Sequence, residues 1–319
     1  MPGHMMGHLL EAAFDQFSDT GRSPGLVIVK SAGNTRDKDI HAKLALAPDD
    51  VDQHQWDQPD EPHPGPDILE LWFNASDDFT FSIIDPQVQE LKTKASWTLP
   101  SVSGAFPSGN TADLEFTRYH HDNGDSRFQV TVRRGTRQAV LGGTWTLTIK
   151  SRRVPLGGEI HAWLERDDSS RVQFMNHINE EMTLSIPGTA RSVICVAAVD
   201  TTSQPGAVKT PHYSAYGRTR DDRRKPDLAA PGQAVYAAEA GTGNGAVPKS
   251  GTSMAAPHVT GAVALLLSCW AKNQPTRSQL TANQVRAALC QGAQSFNPAW
   301  NRGRGYGILD AQSLLAAFL

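Results

Sequence analysis

The sequence predicts a mixed α/β fold in which a parallel-sheet core is interrupted by an inserted all-β domain. Residues 193–199, VICVAAV, form a short unbroken apolar run, as strands buried on both faces require. Ala255, Ala256, Ala262, Val263, Leu265, Leu266 and Leu267 describe a compact helix buried on most sides. Between the two chain ends, Phe79/Phe81/Ile83, Phe128/Val130/Val132 and Trp145/Leu147/Ile149 alternate with polar residues, the mark of sheets with one buried face.

Taken in order, residues 1–44 read as a first core segment. It holds a helix in GHLLEAAFDQF, a strand within residues 27–34 and a polar exit. Residues 45–184 change character. Their opening, APDDVDQHQWDQPDEPHPGPD, is dense in Asp and Pro and reads as a surface linker or long loop. Short β-type runs follow: ILELWFNA, DFTFSIIDP, KASWTLP, DLEFTRYH, SRFQVTVRRG, GTWTLTIK and EIHAWLERD. Their turn spacing suggests a sandwich of jelly-roll type. Trp72, Trp97, Trp145 and Trp163 read as core aromatics, with a ligand groove as the alternative. Asn74-Ala75-Ser76 has the form of a glycosylation acceptor. Residues 185–319 resume the core. The mixed charges of residues 218–225 read as a solvated loop, Thr281 to Gln284 as a capping box opening a helix with Val285, Ala288 and Leu289, and LDAQSLLAAF as a final amphipathic helix.

Composition narrows the function. A length of 319 residues is enough for two domains with ordinary cores. A net charge of −3 offers no basic field, so nucleic acid is not an expected partner. No run of about eighteen apolar residues is present, so no membrane span is expected. The first residues, MPGHMMGHLLEAAF, lack the layout of a secretory signal, and localisation is not read from them. Cys195 reads as a buried small hydrophobe. The odd count of three cysteines argues against a disulfide framework, with a Cys269–Cys290 bridge left open.

The chemistry centres on KSGTSMAAPHVTG. Ser253 stands where a small-residue turn becomes a helix, and the unpaired amides and dipole there favour developing negative charge. A helix cap is the plainer reading of such a serine. The whole string GTSMAAPHVTGAVALLL, however, resembles the nucleophile segment of the subtilisin-like serine proteases, the subtilases. VIVKSAGN resembles their strand ending in the oxyanion-hole asparagine. SIPGTARSVICVAAVD, YSAYGRTRDDRRKPDLAAPG and GRGYGILDA resemble later core stretches in the family's order. The resemblance covers residues 1–34 and 185–319. It implies part of a subtilisin-like doubly wound parallel sheet, Ser253 as nucleophile, Asn34 as oxyanion donor, and Ser31, Ala32 and Gly33 as a wall of the pocket for the substrate side chain. The β region is similar to jelly-roll insertions of some subtilases, and GTWTLTI to the β-domain that follows the proprotein convertase protease domain.

The same resemblance exposes a deficit. The family's Asp strand, His-Gly-Thr helix and substrate-pairing strand all precede the asparagine, whereas only 33 residues precede Asn34. Asp19-Thr20-Gly21 follows the helical residues Leu9, Leu10, Ala13, Phe14 and Phe17, so it reads as a helix-ending turn. His258, five residues past Ser253, lies about 140° around the same helix and reads as packed or capping. His120-His121-Asp122 reads as a solvated loop rather than a metal site, and His161 and His177 have no second motif residue beside them in sequence.

The leading expectation is thus a portion of a subtilisin-type endopeptidase that acts on peptide or protein and is inactive alone. Its Asp and His would be supplied by a missing preceding half or a complementing chain. The alternative is a non-catalytic binding or scaffold protein with the β region as its working surface. No cofactor is expected; calcium is common in the family, but no ordered set of carboxylates names ligands for it.

Overall fold

The computed structural model describes residues 9–60, 65–121, 123–165, 171–202, 208–273, 279–294 and 299–318. The amino-terminal residues tested for a signal, and Asp122, lie partly or wholly outside them. The chain divides into two compact units. One, the β unit, is Lys38–Glu180; the other, the α/β unit, is built from the segment ending at Asp37 and from Glu181–Leu319.

The α/β unit opens with α1 (Leu9–Phe17) and β1 (Val29–Ser31). The β unit follows with β2 (His41–Ala45), β3 (Val51–Gln58), β4 (Asp67–Phe73), β5 (Asp78–Ile84), β6 (Ala95–Ser96) and β7 (Ser101–Ala105). It continues with β8 (Thr111–Thr117), β9 (Ser126–Arg133), β10 (Gly143–Arg153), β11 (Glu159–Leu164) and β12 (Gln173–Phe174). The α/β unit then resumes with β13 (Ile194–Val199), β14 (Leu228–Pro231), β15 (Val235–Ala238) and β16 (Ala246–Lys249). Three helices close it: α2 (Thr252–Asn273), α3 (Ala282–Gly292) and α4 (Ala311–Ala316).

In the β unit the strands form two antiparallel sheets, β12-β3-β10-β5-β6 and β2-β11-β4-β9-β8-β7. The period-two residues all point into one apolar core: Phe79, Phe81, Ile83, Phe128, Val130, Val132, Trp145, Leu147 and Ile149 are fully buried. Phe81 of one sheet stacks on Phe128 of the other at 3.8 Å between ring centres. Trp72, Trp145 and Trp163 are buried, whereas Trp97 is exposed and carries the Arg118 guanidinium over its ring. Asn74 forms a local turn in which its side-chain oxygen accepts from the Ser76 amide.

The Asp- and Pro-rich opening is not all loop. Residues 51–58 form β3, an interior strand paired to β10 on one side and β12 on the other. Its inward positions are Asp52, half-buried, and His54, Trp56 and Gln58, all buried, so the alternation is real but three of its four members are polar. KASWTLP contributes only the two residues of β6, and β7 and β12 were not anticipated.

In the α/β unit β1, β13 and β14 form a parallel sheet with β13 at its centre. All six residues of β13 are buried. The strand within residues 27–34 shortens to Val29–Ser31, because only these pair with Ile194–Val196. Helix α2 lays Ala255, Val259, Ala262, Val263 and Leu266 in a common core with Ile194, Val196, Leu228 and Ala230. By length and composition alone α2 is long and apolar enough to cross a membrane, although polar residues interrupt its apolar run. The capping box forms as expected: Thr281 Oγ1 accepts from Gln284 N, and Gln284 Oε1 accepts from Thr281 N. Asp19, Thr20 and Gly21 form the turn that ends α1 and all have positive φ; the Asp19 carboxylate pairs with exposed Arg22.

Two further readings change. The charged run is not wholly solvated, because Lys225 at its end is buried against Asp227, Nζ to Oδ2 2.8 Å. The bridge left open between Cys269 and Cys290 is not made; all three cysteines are free thiols. Burial pushes the Cys195 and Cys290 thiols up to about 12, so neither ionises near neutrality. Iodoacetamide at neutral pH is therefore expected to leave Cys195 and Cys290 unmodified in the native chain and to alkylate both once it is denatured. Mass-spectrometric detection of native labelling at Cys195 would contradict this.

Candidate active site

The turn before α2 is held from below by backbone bonds. Gly251 N donates to Gly232 O at 2.8 Å, and Met254 N to Gly251 O at 3.0 Å. Gly251 has a φ of +151°, and a Cβ there would stand 3.2 Å from Asn34 Nδ2, so a side chain would crowd the asparagine. Thr252 is buried, and Ser253, next to it, is exposed at the first turn of the helix. Its amide is among the first four of the helix and finds no acceptor within it.

Asn34 comes to this turn from the other end of the chain. Its Oδ1 accepts from Thr252 N and from Thr252 Oγ1, both at 2.9 Å. An N–H can donate only to the carboxamide oxygen, so this bond fixes which way the amide faces and leaves Nδ2 as a donor. Thr252 Oγ1 in turn accepts from Gly33 N at 3.1 Å. Asn34 and Ser253 are both exposed residues.

Ser31, Ala32 and Gly33 lead into Asn34 and are tied on several sides. Ala32 N donates to Val196 O, Ser185 N to Ala32 O and Ala215 N to Gly33 O. Lys30 Nζ donates to the Ser31 carbonyl and hydroxyl and to Ser185 Oγ, and burial pulls its pKa down. Ala32 and Gly33 are buried and Ser31 is half-buried.

Among the described residues no histidine hydrogen-bonds to the Ser253 hydroxyl. His258 is exposed rather than packed, and its Nδ1 bonds back to the Met254 carbonyl at 2.9 Å. A His–carboxylate pair that the sequence did not suggest, His212 and Asp37 at 3.5 Å, lies in the same unit with His212 exposed.

The histidines set aside for want of a neighbour in sequence have neighbours in space. His161 Nδ1 meets His41 Nε2 at 3.0 Å and its Nε2 meets Glu159 at 3.1 Å, while His41 Nδ1 faces the Asn179 carbonyl. His177 Nε2 meets Asp52 Oδ2 at 2.9 Å. His120 and His121 stack at 4.5 Å. The His41–His161 and Asp52–His177 contacts span 120 and 125 positions, so local motif reading had no signal for them.

The comparisons with known proteins agree with the α/β unit. A model of the subtilase family, Peptidase_S8, matches residues 168–307. The extracellular basic protease of Dichelobacter nodosus is 32% identical over 146 residues, 44% of this chain and 22% of that protein. Subtilisin DY of Bacillus licheniformis is 34% identical over 123 residues, 39% of this chain and 38% of its own length. The chain thus spans well under half of these relatives. Among solved structures, the Clostridium perfringens CspB protease superposes with a TM-score of 0.81 over 98% of this chain and 63% of that one, at 22% identity. That likeness shows a shared fold, mixed α/β with several sheets. Through residues 168–307 the chain is similar to the subtilase family of serine proteases.

Proposed function

We propose that the α/β unit carries the nucleophile and oxyanion site of a subtilisin-type serine endopeptidase acting on peptide or protein. The observation that carries this reading is the bonding of Asn34 Oδ1 to Thr252, the residue before an exposed Ser253 at a helix amino terminus, which leaves Nδ2 as the donor of that amide. In this reading Ser253 Oγ attacks the scissile carbonyl carbon. The carbonyl oxygen becomes an oxyanion that accepts from Asn34 Nδ2 and from the Ser253 amide, groups already in place before charge develops. Ser31, Ala32 and Gly33 form a wall of the pocket for the side chain before the cut. The base supplied from outside these residues takes the Ser253 hydroxyl proton and passes it to the leaving nitrogen as the intermediate collapses and the C–N bond breaks; the amine departs, and water then hydrolyses the acyl-enzyme.

Among the described residues no base is found beside Ser253. A serine hydroxyl without one is a weak nucleophile. We therefore read the chain as inactive alone, with Asp and His supplied by a preceding segment or a complementing chain. The β unit is read as a jelly-roll-like insertion. In support, most neighbours in its sheets, such as β3 with β10 and β11 with β4, are distant in sequence, and only a few are hairpins.

A fluorophosphonate probe tests the proposal, because it bonds only to an activated serine. The chain alone should not react, while the protein as its own organism makes it, sized by intact mass and amino-terminal sequencing, should be labelled at Ser253. A native protein bearing Asp and His that stays unlabelled would overturn the enzymatic reading and favour a binding role.

A further inference from the structure

Within the β unit one histidine packs its ring against Phe174, 4.5 Å between ring centres, yet that contact satisfies neither of its nitrogens. His54 is fully buried, and neither ring nitrogen has a hydrogen-bond partner. It lies on β3 two positions after Asp52, so both side chains share the inward face of the strand. The segment after β12 stays alongside β3: Met175 N donates to Gln55 O at 2.9 Å and Asn176 Nδ2 to Gln53 O at 2.8 Å. This continuation delivers His177 to the same spot. There its Nε2 lies 2.9 Å from Asp52 Oδ2 and its ring centre 5.9 Å from that of His54.

One donor atom from each of Asp52, His54 and His177 lies within 4.8 Å of the others. Ligands at about 2.0–2.1 Å around a tetrahedral ion stand about 3.4 Å apart, so a modest contraction would close the shell. The Asp52–His177 pair alone would be an ordinary ion pair. It leaves both His54 nitrogens and Asp52 Oδ1 buried without partners, which native interiors rarely tolerate. A cation at the centre of the three would satisfy one nitrogen of His54 along with its neighbours.

We propose that Asp52, His54 and His177 form a three-ligand site for a borderline divalent transition cation such as zinc. Two imidazoles and one carboxylate suit zinc, cobalt or ferrous iron far better than calcium or magnesium, which take oxygen donors. The ion would fasten the segment after the two-residue edge strand β12 to β3. Three protein ligands leave a further position for water. This site belongs to the β unit and does not depend on the protease reading.

The test uses the full chain after chelator treatment and dialysis. Zinc chloride titrated calorimetrically should bind one ion per chain and raise the melting temperature. Cobalt chloride should give the intense visible bands of a four- or five-coordinate site. His177→Ala and Asp52→Asn should each weaken the cobalt signal and zinc affinity at least about tenfold, since even outer-shell changes cost about 10–100-fold. His258→Ala, on an exposed helix face, should leave both unchanged. Binding of equal strength in wild type and both variants would overturn the proposal. So would a wild-type chain that gives only the weak spectrum of hydrated cobalt, a result that does not depend on whether the variants fold.

Discussion

Ser253→Ala, made in a form of the protein that cleaves peptide bonds, is expected to lower kcat roughly a million-fold, the scale at which a serine nucleophile of this type acts. KM should change little, because Ser253 Oγ contributes to bond making rather than to holding substrate. Asn34→Ala should cost less, about a hundred- to a thousand-fold in kcat, since the Ser253 amide remains to stabilise the oxyanion. Part of that loss would be indirect, because Asn34 Oδ1 also accepts from Thr252 N and Oγ1 and so helps set the turn. Asn34→Asp separates the two roles. It preserves acceptors for Thr252 but replaces the Nδ2 donor with an anion, so kcat should fall at least as far as in Asn34→Ala while the fold is kept. Steady-state kinetics on a peptide substrate would read all three, and a Ser253→Ala protein with ordinary turnover would end the proposal.

The largest expected effect on stability comes from Asp227→Ala. Lys225 Nζ donates to Asp227 Oδ2 at 2.8 Å and also to the Val193 carbonyl, while the same carboxylate oxygen accepts from Cys195 N at 2.7 Å. Both side chains are about 95% buried, being 4% and 5% exposed. Arg286 Nε stands 3.9 Å from Asp227 Oδ1, a more distant second cation. Truncating the aspartate would leave an ammonium in the interior without its anion and a strand amide without its acceptor. The expected cost is about 3–5 kcal/mol in chemical denaturation. Replacing both partners by apolar residues, Lys225→Met with Asp227→Leu, should restore most of it, since the desolvation cost then disappears with the charges. A denaturation midpoint unchanged by Asp227→Ala would show the pair to be energetically idle.

The elements that could be read from residues alone were those whose packing face is apolar. The run at residues 193–199 became β13 because every side chain on it is buried, and Phe79/Phe81/Ile83 became β5 because burial alternates with the residues. Strand β3 stayed hidden for the opposite reason. Its inward face is Asp52, His54, Trp56 and Gln58, and it sits among aspartates and prolines that resemble a loop. Lys225 was hidden in a run of charges, since its burial depends on an aspartate two residues later and on the Val193 carbonyl across the sheet. At the candidate site, family resemblance picked out Ser253 and Asn34, whereas their link through Thr252 spans 218 positions and is visible only in space. His177 and Asp52 are 125 positions apart and carry no motif between them.

The separation of β1 from its partners also dictates an order of events on the ribosome. Strand β1 is made before the β unit, yet β13, which among the described residues gives it its only ladder, is made after the entire β unit, and Gly33 waits a further stretch for Thr252, 219 positions along the chain. Closing so long a loop in an unstructured chain carries an entropic penalty that slows folding. The intervening Lys38–Glu180 has its own core and can condense first as it emerges, drawing in the slack between the two ends. The contacts at the turn before α2 then form only after that unit, so the serine hydroxyl and the asparagine amide come into register later than the β core does.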